Sequence, residues 1–534
     1  MTHPRSGEHG VFQYHYARSP DQDAREPVRH PVVVVGAGPV GLTAAIDLAL
    51  RGVPVVLLDD SDRIGEGSRG ICYAKRTLEI LDRLGVDHLI GRGVTWKLGK
   101  VFLGDDLVYS FDLLPEAGHK MPAFINLQQY LLEKALVDRA LAIENVDLRW
   151  RNRVISVEAR NDHVRLGIQT PEGVYTLEAE WLIAADGARS TVRAQLGLGF
   201  TGVTFEDKFL IADVRMAADF PTERRFWFDP PFHSGQSALM HRQPENVWRI
   251  DLQLGPDADP ASEQQPERVL PRLRQMLGDR DFTLEWVSVY QFNCRRLERF
   301  VHNRVIFAGE AAHQVSPFGA RGGNSGIQDA ENLAWKLAAV LKGEGGPDLI
   351  ASYEIERIQA ADENIAHSTR STDFIAPHSP AERRLRNAVL ELAPRAEFAR
   401  RMVNSGRLST ATVYDSSLST PDEVSFSGSA RLGAPVPDVP LCSSAGRAGF
   451  LLEQLTGDFE LLYAGNGMRP KVSRGIKLKI IGDDLMDSEG LFASRFDATP
   501  GAAYLLRPDQ HLCARWRSYD PEKVAAAHRR ALGY

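Results

Sequence analysis

Val32-Val33-Val34-Val35-Gly36-Ala37-Gly38-Pro39-Val40-Gly41 opens the stretch that decides the fold. Four consecutive valines predict a buried strand, and Leu42 to Leu50 continues as an apolar helix. Val53 to Leu58 predicts a second strand, which ends in Asp59 and Asp60. Gly36 permits the tight turn, Gly38 lets the backbone approach a pyrophosphate, and Gly41 lets the helix pack close to its strand. Pro39 and Val40 fill the helix start, whose free N–H groups and positive dipole end face the phosphates. The acid about 20 residues on suits a ribose hydroxyl. Strand, glycine turn, helix, strand and acid together make a dinucleotide-binding fingerprint. A membrane span over Val32 to Leu50 is opposed by Asp47, three glycines and the strand that follows so soon.

The chain has 534 residues and a formal net charge of −7, so two or three domains are expected and no basic nucleic-acid footprint is visible. No apolar leader is visible at the N-terminus, and Cys72, Cys294, Cys442 and Cys513 are scattered without a CxxC. They point to a reducing, cytoplasmic setting with no disulfide framework and no metal site. Neither a membrane nor a nucleic acid is an expected partner.

Working outward, residues 1–30 are polar and predict an extended arm, packed on a neighbour or disordered. Residues 31–195 predict the first part of the dinucleotide domain. They include a helix from Thr77 stopped by Gly85, short strands over Val101 to Leu113, and a helix from Tyr130 to Ala142. Four strands between Val146 and Ala179 predict a meander beside the first sheet. Trp181 to Ala184 predicts a buried strand running into Asp186-Gly187, with a helix from Ser190. Residues 196–295 are strand-rich and aromatic and predict a substrate domain roofing a pocket, with a helix over Glu267 to Leu277 that Pro271 kinks or restarts. Residues 296–375 return to the dinucleotide domain. There a buried strand enters Gly309-Glu310, and the loop Ser316 to Gly326 precedes a helix from Ile327 to Leu341. That glycine-rich loop is a second anion- or carbonyl-binding nest. Residues 376–430 are helical and then linker-like, and residues 431–534 predict a separate small α/β domain with a helix over Gly449 to Leu455. The fold class is α/β, a Rossmann-like domain interleaved with an α+β substrate domain.

The three motifs, in this order, resemble those of the class A flavoprotein aromatic hydroxylases with the para-hydroxybenzoate hydroxylase fold, and the resemblance extends from Val32 to Trp516. The phenol hydroxylase and 3-(3-hydroxyphenyl)propionate hydroxylase branch is the nearest in pattern. The resemblance implies FAD held by Gly36, Gly38, Pro39, Val40 and Gly41 at the pyrophosphate and by Asp59 at the ribose. It implies further contacts from Arg69, Gln129, Asp186 and Gly187, and places Glu310, after Gly309, where the family has an Asp that binds the ribityl chain. Pro317, Gly322, Gly323 and Asn324 would line the reactive face and the pyrimidine edge of the ring. Gly323 stands where many relatives carry a bulkier residue. The implied reaction consumes transiently bound NADPH or NADH and O2, and hydroxylates a small phenolic aromatic substrate through a C4a-hydroperoxyflavin. For substrate handling, His233, His241, Tyr290 and Arg296 are candidates, Arg296 as partner for a carboxylate. The tail resembles the branch's thioredoxin-like domain without its CxxC, structural or a contact in a possible homodimer. A halogenase, a reductase or a non-catalytic flavin-binding protein of the same fold are the alternatives; Phe226-Trp227-Phe228-Asp229-Pro230 is not the halogenase WxWxIP signature.

Overall fold

The computed structural model describes residues 5–6, 12–65, 70–403, 408–443, 445–465 and 467–534. Val32 to Val34 are fully buried in strand Val28–Val35. A strand apolar on both faces needs cover on both, which is the signature of a central parallel strand. Val28–Val35 accordingly lies between Val55–Leu58 and Gly173–Ala184, parallel to both. Val146–Arg149 adds outside Val55–Leu58, also parallel. It therefore sits at the opposite edge from the meander in which it was expected. Trp181 to Ala184 is likewise no separate strand. It completes the 12-residue strand Gly173–Ala184, whose far edge is shared first by Val164–Thr170, antiparallel, and then by Val305–Phe307, parallel. Helices Pro39–Leu50, Gln129–Leu141 and Gly322–Leu341 cover this sheet, with Leu42, Ile46, Leu132, Leu136, Ile327 and Leu333 in its core.

A second eight-stranded sheet has the order His313–Gln314, Thr283–Leu297, Phe200–Arg215, Val247–Gly255, Ser237–Arg242, Arg224–Phe228, Leu98–Leu103, Asp106–Asp112. The strands over 98–112, expected in the dinucleotide domain, thus close the edge of this second sheet. Period-2 alternation divides its residues between two faces. Trp248, Ile250 and Leu252 meet Val269, Leu273 and Leu277 of helix Pro266–Leu277, which continues through Pro271 rather than restarting. Phe209, Phe226, Phe228 and Phe292 face the other way, toward Phe318 and the helices Pro380–Leu392 and Glu397–Met402.

The tail forms a seven-stranded sheet in which Phe459–Ala464 runs parallel to Ile476–Ile481 and antiparallel to the hairpin strand Ala503–Leu506. The helix expected over Gly449 to Leu455 is instead strand Ala448–Phe450, paired with Pro440–Ser443, and a short 3-10 turn Leu452–Gln454. Asp438 accepts the Leu452 N–H, which holds that turn against the strand. The described part of the arm packs on its own chain. Tyr14 stacks on Trp150 at 4.6 Å between ring centres, and Asp21 pairs with Arg149 at 2.8 Å. Residues 408–434 form no loose linker either, since Leu408, Tyr414 and Leu418 are buried.

Candidate cofactor and substrate site

The first glycine turn is built for a close approach. Gly36 has φ +103°, and a Cβ there would lie 2.5 Å from the Ala185 carbonyl oxygen. A Cβ on Gly41 would lie 1.9 Å from the Gly36 carbonyl oxygen, whereas one on Gly38 would meet nothing within 4 Å. The helix is thus clamped to the turn at Gly41, while Gly38, its N-cap, faces open space with Pro39 in the first turn. Unpaired N–H groups at that end make it an anion site. Asp59 accepts the N–H groups of Ala37 at 2.6 Å and Ser61 at 2.9 Å. Burial raises its carboxyl to about 6 despite those bonds. Asp186 takes the Val192 N–H on Oδ2, but its Oδ1 is buried without a partner, and burial raises this carboxyl too. An orphaned carboxylate oxygen beside Gly36 suits a hydroxyl donor from a bound nucleotide. Gly187, at φ +76°, leaves space beside it.

The second motif packs onto the first. Gly309 has φ +61°; a Cβ there would press on Val40 at 2.9 Å, and one on Gly326 would do so at 2.6 Å. Glu310 follows, exposed at the end of strand Val305–Phe307. Pro317 is exposed and Phe318 buried, and Ala320 takes a left-handed φ of +51° that turns the chain into helix Gly322–Leu341. This helix begins five residues before Ile327, so Gly322, Gly323 and Asn324 form its first turn. Their N–H groups point out of the helix, and a Cβ on Gly323 would meet open space. Two helix N-termini therefore converge on one crevice. The Asn324 side chain is engaged within the protein. It donates to the carbonyls of Cys72 at 2.9 Å and Ala320 at 2.6 Å and accepts the Ala74 N–H at 2.9 Å. Only its backbone is left for a ligand. Gln129 accepts the Gly70 N–H at 2.9 Å and donates to Glu133 at 2.8 Å. Arg69 lies outside the described residues.

Behind this crevice is a buried network that sequence inspection missed. Asp329 accepts the Gly309 N–H at 2.9 Å and pairs with His313 at 2.7 Å and Arg357 at 2.5 Å. The Arg357 guanidinium and the hydrogen bonds that Asp329 receives outweigh burial and hold its carboxyl below the usual range. An acid on the apolar face of helix Ile327 to Leu341 was the available signal.

Register across the second sheet aligns Ile211, Asp251, Leu239, Phe226, Val101 and Tyr109 in one row on the face away from helix Pro266–Leu277. Arg224, two residues before Phe226, shares that face and donates to the Phe318 carbonyl at 3.2 Å. Tyr290, opposite Phe209, also borders this aromatic face. His241 is buried there with Nδ1 unpartnered, and burial pushes its imidazole well below the usual range. His233 is bonded to the Gln253 carbonyl at 2.6 Å. Arg296 stands apart, paired bidentately with Asp362 at 2.5 and 3.0 Å and bonded to two carbonyls. Among the described residues no three His, Cys, Asp or Glu side chains are grouped to hold a metal, and no helix is long and apolar enough to cross a membrane.

Two glycine-clamped helix ends packed against each other, with an aromatic-faced sheet beside them, suit a bound dinucleotide. Residues 29–368 match the FAD binding domain family, and the chain belongs to it. A flavin-dependent monooxygenase of Mycobacteroides abscessus is 32% identical over 63% of this chain and 73% of its own. The 12-dehydrotetracycline 5-monooxygenase/anhydrotetracycline 6-monooxygenase of Streptomyces rimosus subsp. rimosus is 29% identical over 91% of this chain and 95% of its own. Among solved structures, the flavin-dependent monooxygenase PieE in complex with FAD and substrate shares the fold, with a TM-score of 0.78 at 24% identity, covering 94% of this chain and all of that one. The chain is an FAD-dependent enzyme of the aromatic monooxygenase class.

Proposed function

We propose that this enzyme consumes NADPH or NADH and O2 to hydroxylate a phenolic aromatic substrate bound between the substrate sheet and the Pro317–Gly319 turn. The observation that carries the reading is the mostly apolar, aromatic row facing the crevice, with a few buried polar groups set in it. Near full-length similarity to the tetracycline-type monooxygenase favours a multi-ring phenolic substrate over a simple phenol. Bound FAD would supply the redox chemistry, taking electrons from the nicotinamide and activating O2. The chain's own part is to hold, shield and tune. Gly36, Gly38, Pro39, Val40 and Gly41 would cradle the pyrophosphate, Asp59 and Asp186 would accept hydroxyl donors, and Gln129, Gly187, Gly309 and Glu310 would complete the contacts. The first turn at Gly322, Gly323 and Asn324 offers its positive dipole end to the charge a flavin gains on reduction. Phe318 packs on Phe209 and Phe292 at 4.8 and 5.5 Å between ring centres, a wall that excludes water beside Pro317 and Tyr290. Arg296 would reach a substrate carboxylate only by leaving Asp362. The tail is a thioredoxin-like domain without a redox pair, available as a homodimer contact.

Anaerobic stopped-flow reduction with NADH and NADPH tests this reading. A phenol from a panel of one- to four-ring compounds is expected to accelerate flavin reduction at least tenfold, and aerobic turnover to yield its hydroxylated product. An FAD-loaded protein that neither nicotinamide reduces with any aromatic would overturn it in favour of an external-reductase, halogenase or non-catalytic role.

Asp59 gives FAD binding a pH dependence. Its carboxyl titrates near 6, above the ordinary aspartate value. In the cofactor-free protein its ionisation therefore lowers stability as pH rises through that point. Ribose hydroxyls bond best to the ionised form, so FAD affinity is expected to rise as pH increases through about 6 and then level off. Fluorescence titration should show Asp59→Asn flattening that profile and weakening binding at pH 8 by about 1.5–3 kcal/mol. A wild-type affinity independent of pH between 5 and 8 would contradict the assignment.

A further inference from the structure

Asp251 is the one acid in the row Ile211, Asp251, Leu239, Phe226, Val101 and Tyr109. Its strand neighbours Ile250 and Leu252 are buried against helix Pro266–Leu277, so alternation turns Asp251 toward the crevice. Its Oδ1 is buried and has no hydrogen-bond partner. A buried acceptor left unpaired is costly and calls for a ligand donor. Charged groups face it from several strands: Arg249 on its own strand, Asp213 on Phe200–Arg215, and Arg224 on Arg224–Phe228. The Cys72 thiol of strand Cys72–Ala74 also senses this charge. Asp213 is already neutralised by Arg249 at 2.9 Å. Arg224 is buried and donates to the carbonyl of Phe318, next to Pro317. An acceptor and a cation that feel each other's charge thus share this face, the cation bonded to the turn that would border the flavin.

Building on the monooxygenase reading above, we propose that Asp251 accepts the hydroxyl hydrogen of the phenolic substrate, with Arg224 stabilising the oxygen as it becomes anionic. The step balances simply. The substrate O–H bond breaks, its proton moves to Asp251 Oδ1, and the electron pair stays on the oxygen and delocalises to the ortho and para carbons. These are the positions that must be electron-rich for hydroxylation. A simple phenol ionises near 10 and Asp251 near 6, so a lone transfer would be uphill. Arg224, unable to lose its own proton, offsets that difference. The same contact makes Asp251 a selector for hydroxyl-bearing rings, because an ionised carboxylate has no donor to offer an ether.

The test uses 1-naphthol and its methyl ether, 1-methoxynaphthalene, on the FAD-loaded full chain. Wild-type enzyme at pH 8 is expected to bind the naphthol about 10–100-fold tighter than the ether. That preference should shrink as pH falls through about 6. The near-isosteric Asp251→Asn variant should keep its FAD, bind the two ligands alike, show no pH dependence in their ratio, and hydroxylate 1-naphthol about 10²–10⁴-fold more slowly. Asp251→Glu should recover part of the preference. The wild-type pH profile needs no variant, so a folding defect cannot mask the answer. Equal hydroxylation by wild type and Asp251→Asn, or an unchanged naphthol-to-ether ratio, would remove Asp251 from this role and leave the monooxygenase reading standing. A wild type that hydroxylates no phenol at all would overturn both.

Discussion

Gly41→Ala is expected to yield protein that purifies without FAD and does not take it up on reconstitution. The added Cβ would lie 1.9 Å from the Gly36 carbonyl oxygen, 3.1 Å from its carbon and 3.3 Å from Val34 Cγ1. None of the nearest atoms is a flexible side-chain tip, so the helix Pro39–Leu50 must lift from the strand. Forcing one methyl into a packed interior costs about 1–3 kcal/mol. The larger effect falls on the cofactor. The lifted helix carries its first-turn N–H groups and dipole end away from the pyrophosphate, and FAD affinity should drop by at least about 10²-fold, since two lost charge-assisted bonds are worth about 3–6 kcal/mol. Gly38→Ala is the informative partner. Its Cβ would meet no protein atom within 4 Å, so the cofactor-free protein should melt like wild type, yet the methyl would occupy the space left for phosphate. Flavin absorbance after purification and the melting temperature of the cofactor-free protein separate the two. A Gly41→Ala protein that keeps its flavin and melts like wild type would mean that this glycine clamp does not set the site.

The first sheet was legible because its signals are local. A run of valines with no polar face reads as a doubly covered strand, and Gly36, Gly38 and Gly41 read as a backbone approached by a ligand. The two later glycine motifs fell at strand ends on the same crevice for the same reason. What escaped was long-range pairing. Nothing near Val146 says that it will pair beside Val55 rather than Val154, and nothing in 98–112 announces a partner more than a hundred residues away at Arg224–Phe228. Trp181 to Ala184 looked separate from Val174 to Ala179 because the partner changes midway, although the strand does not.

Side-chain roles followed the same division. Gly309 and Asp186 could be located from their motifs, whereas Asn324 is spent on tying Cys72 and Ala74 to the second helix start. Arg224 and Asp251 carry no motif at all. They become visible only when cross-strand register puts an acid and a cation on the face opposite helix Pro266–Leu277. Arg296, singled out by its position after the aromatic segment, is held by Asp362 from the helix Leu349–Ile375, which sequence spacing gives no means of placing.

The tail is joined to the dinucleotide domain by buried charge, and Glu356→Ala is expected to cost about 3–5 kcal/mol. Glu356 is fully buried; it pairs with Lys336 at 2.8 Å, takes both Arg507 Nη groups at 2.6 and 3.0 Å, and accepts the Asn332 amide at 2.6 Å. Arg507 belongs to the tail and also pairs with Asp509 at 2.5 Å, which accepts the Trp335 indole N–H at 3.0 Å. Removing the acid leaves Lys336 without its carboxylate and Arg507 with Asp509 alone. Lys336, already lowered to about 8 by burial, can shed its proton; Arg507 cannot. The loss should therefore show as a lower melting temperature and as faster proteolysis between the two domains. Neighbouring cations hold the Glu356 carboxyl far below the usual glutamate range. A lowered acid pKa contributes stability that is present above the unfolded-state value of about 4.3 and is lost as pH falls below it. The gap between wild type and Glu356→Ala should thus be widest near neutrality and narrow toward pH 3. Glu356→Leu combined with Lys336→Met, which removes a cation along with the acid, should recover part of the loss. A single variant that melts within a degree of wild type at pH 7 would show that the junction is held by its apolar contacts alone.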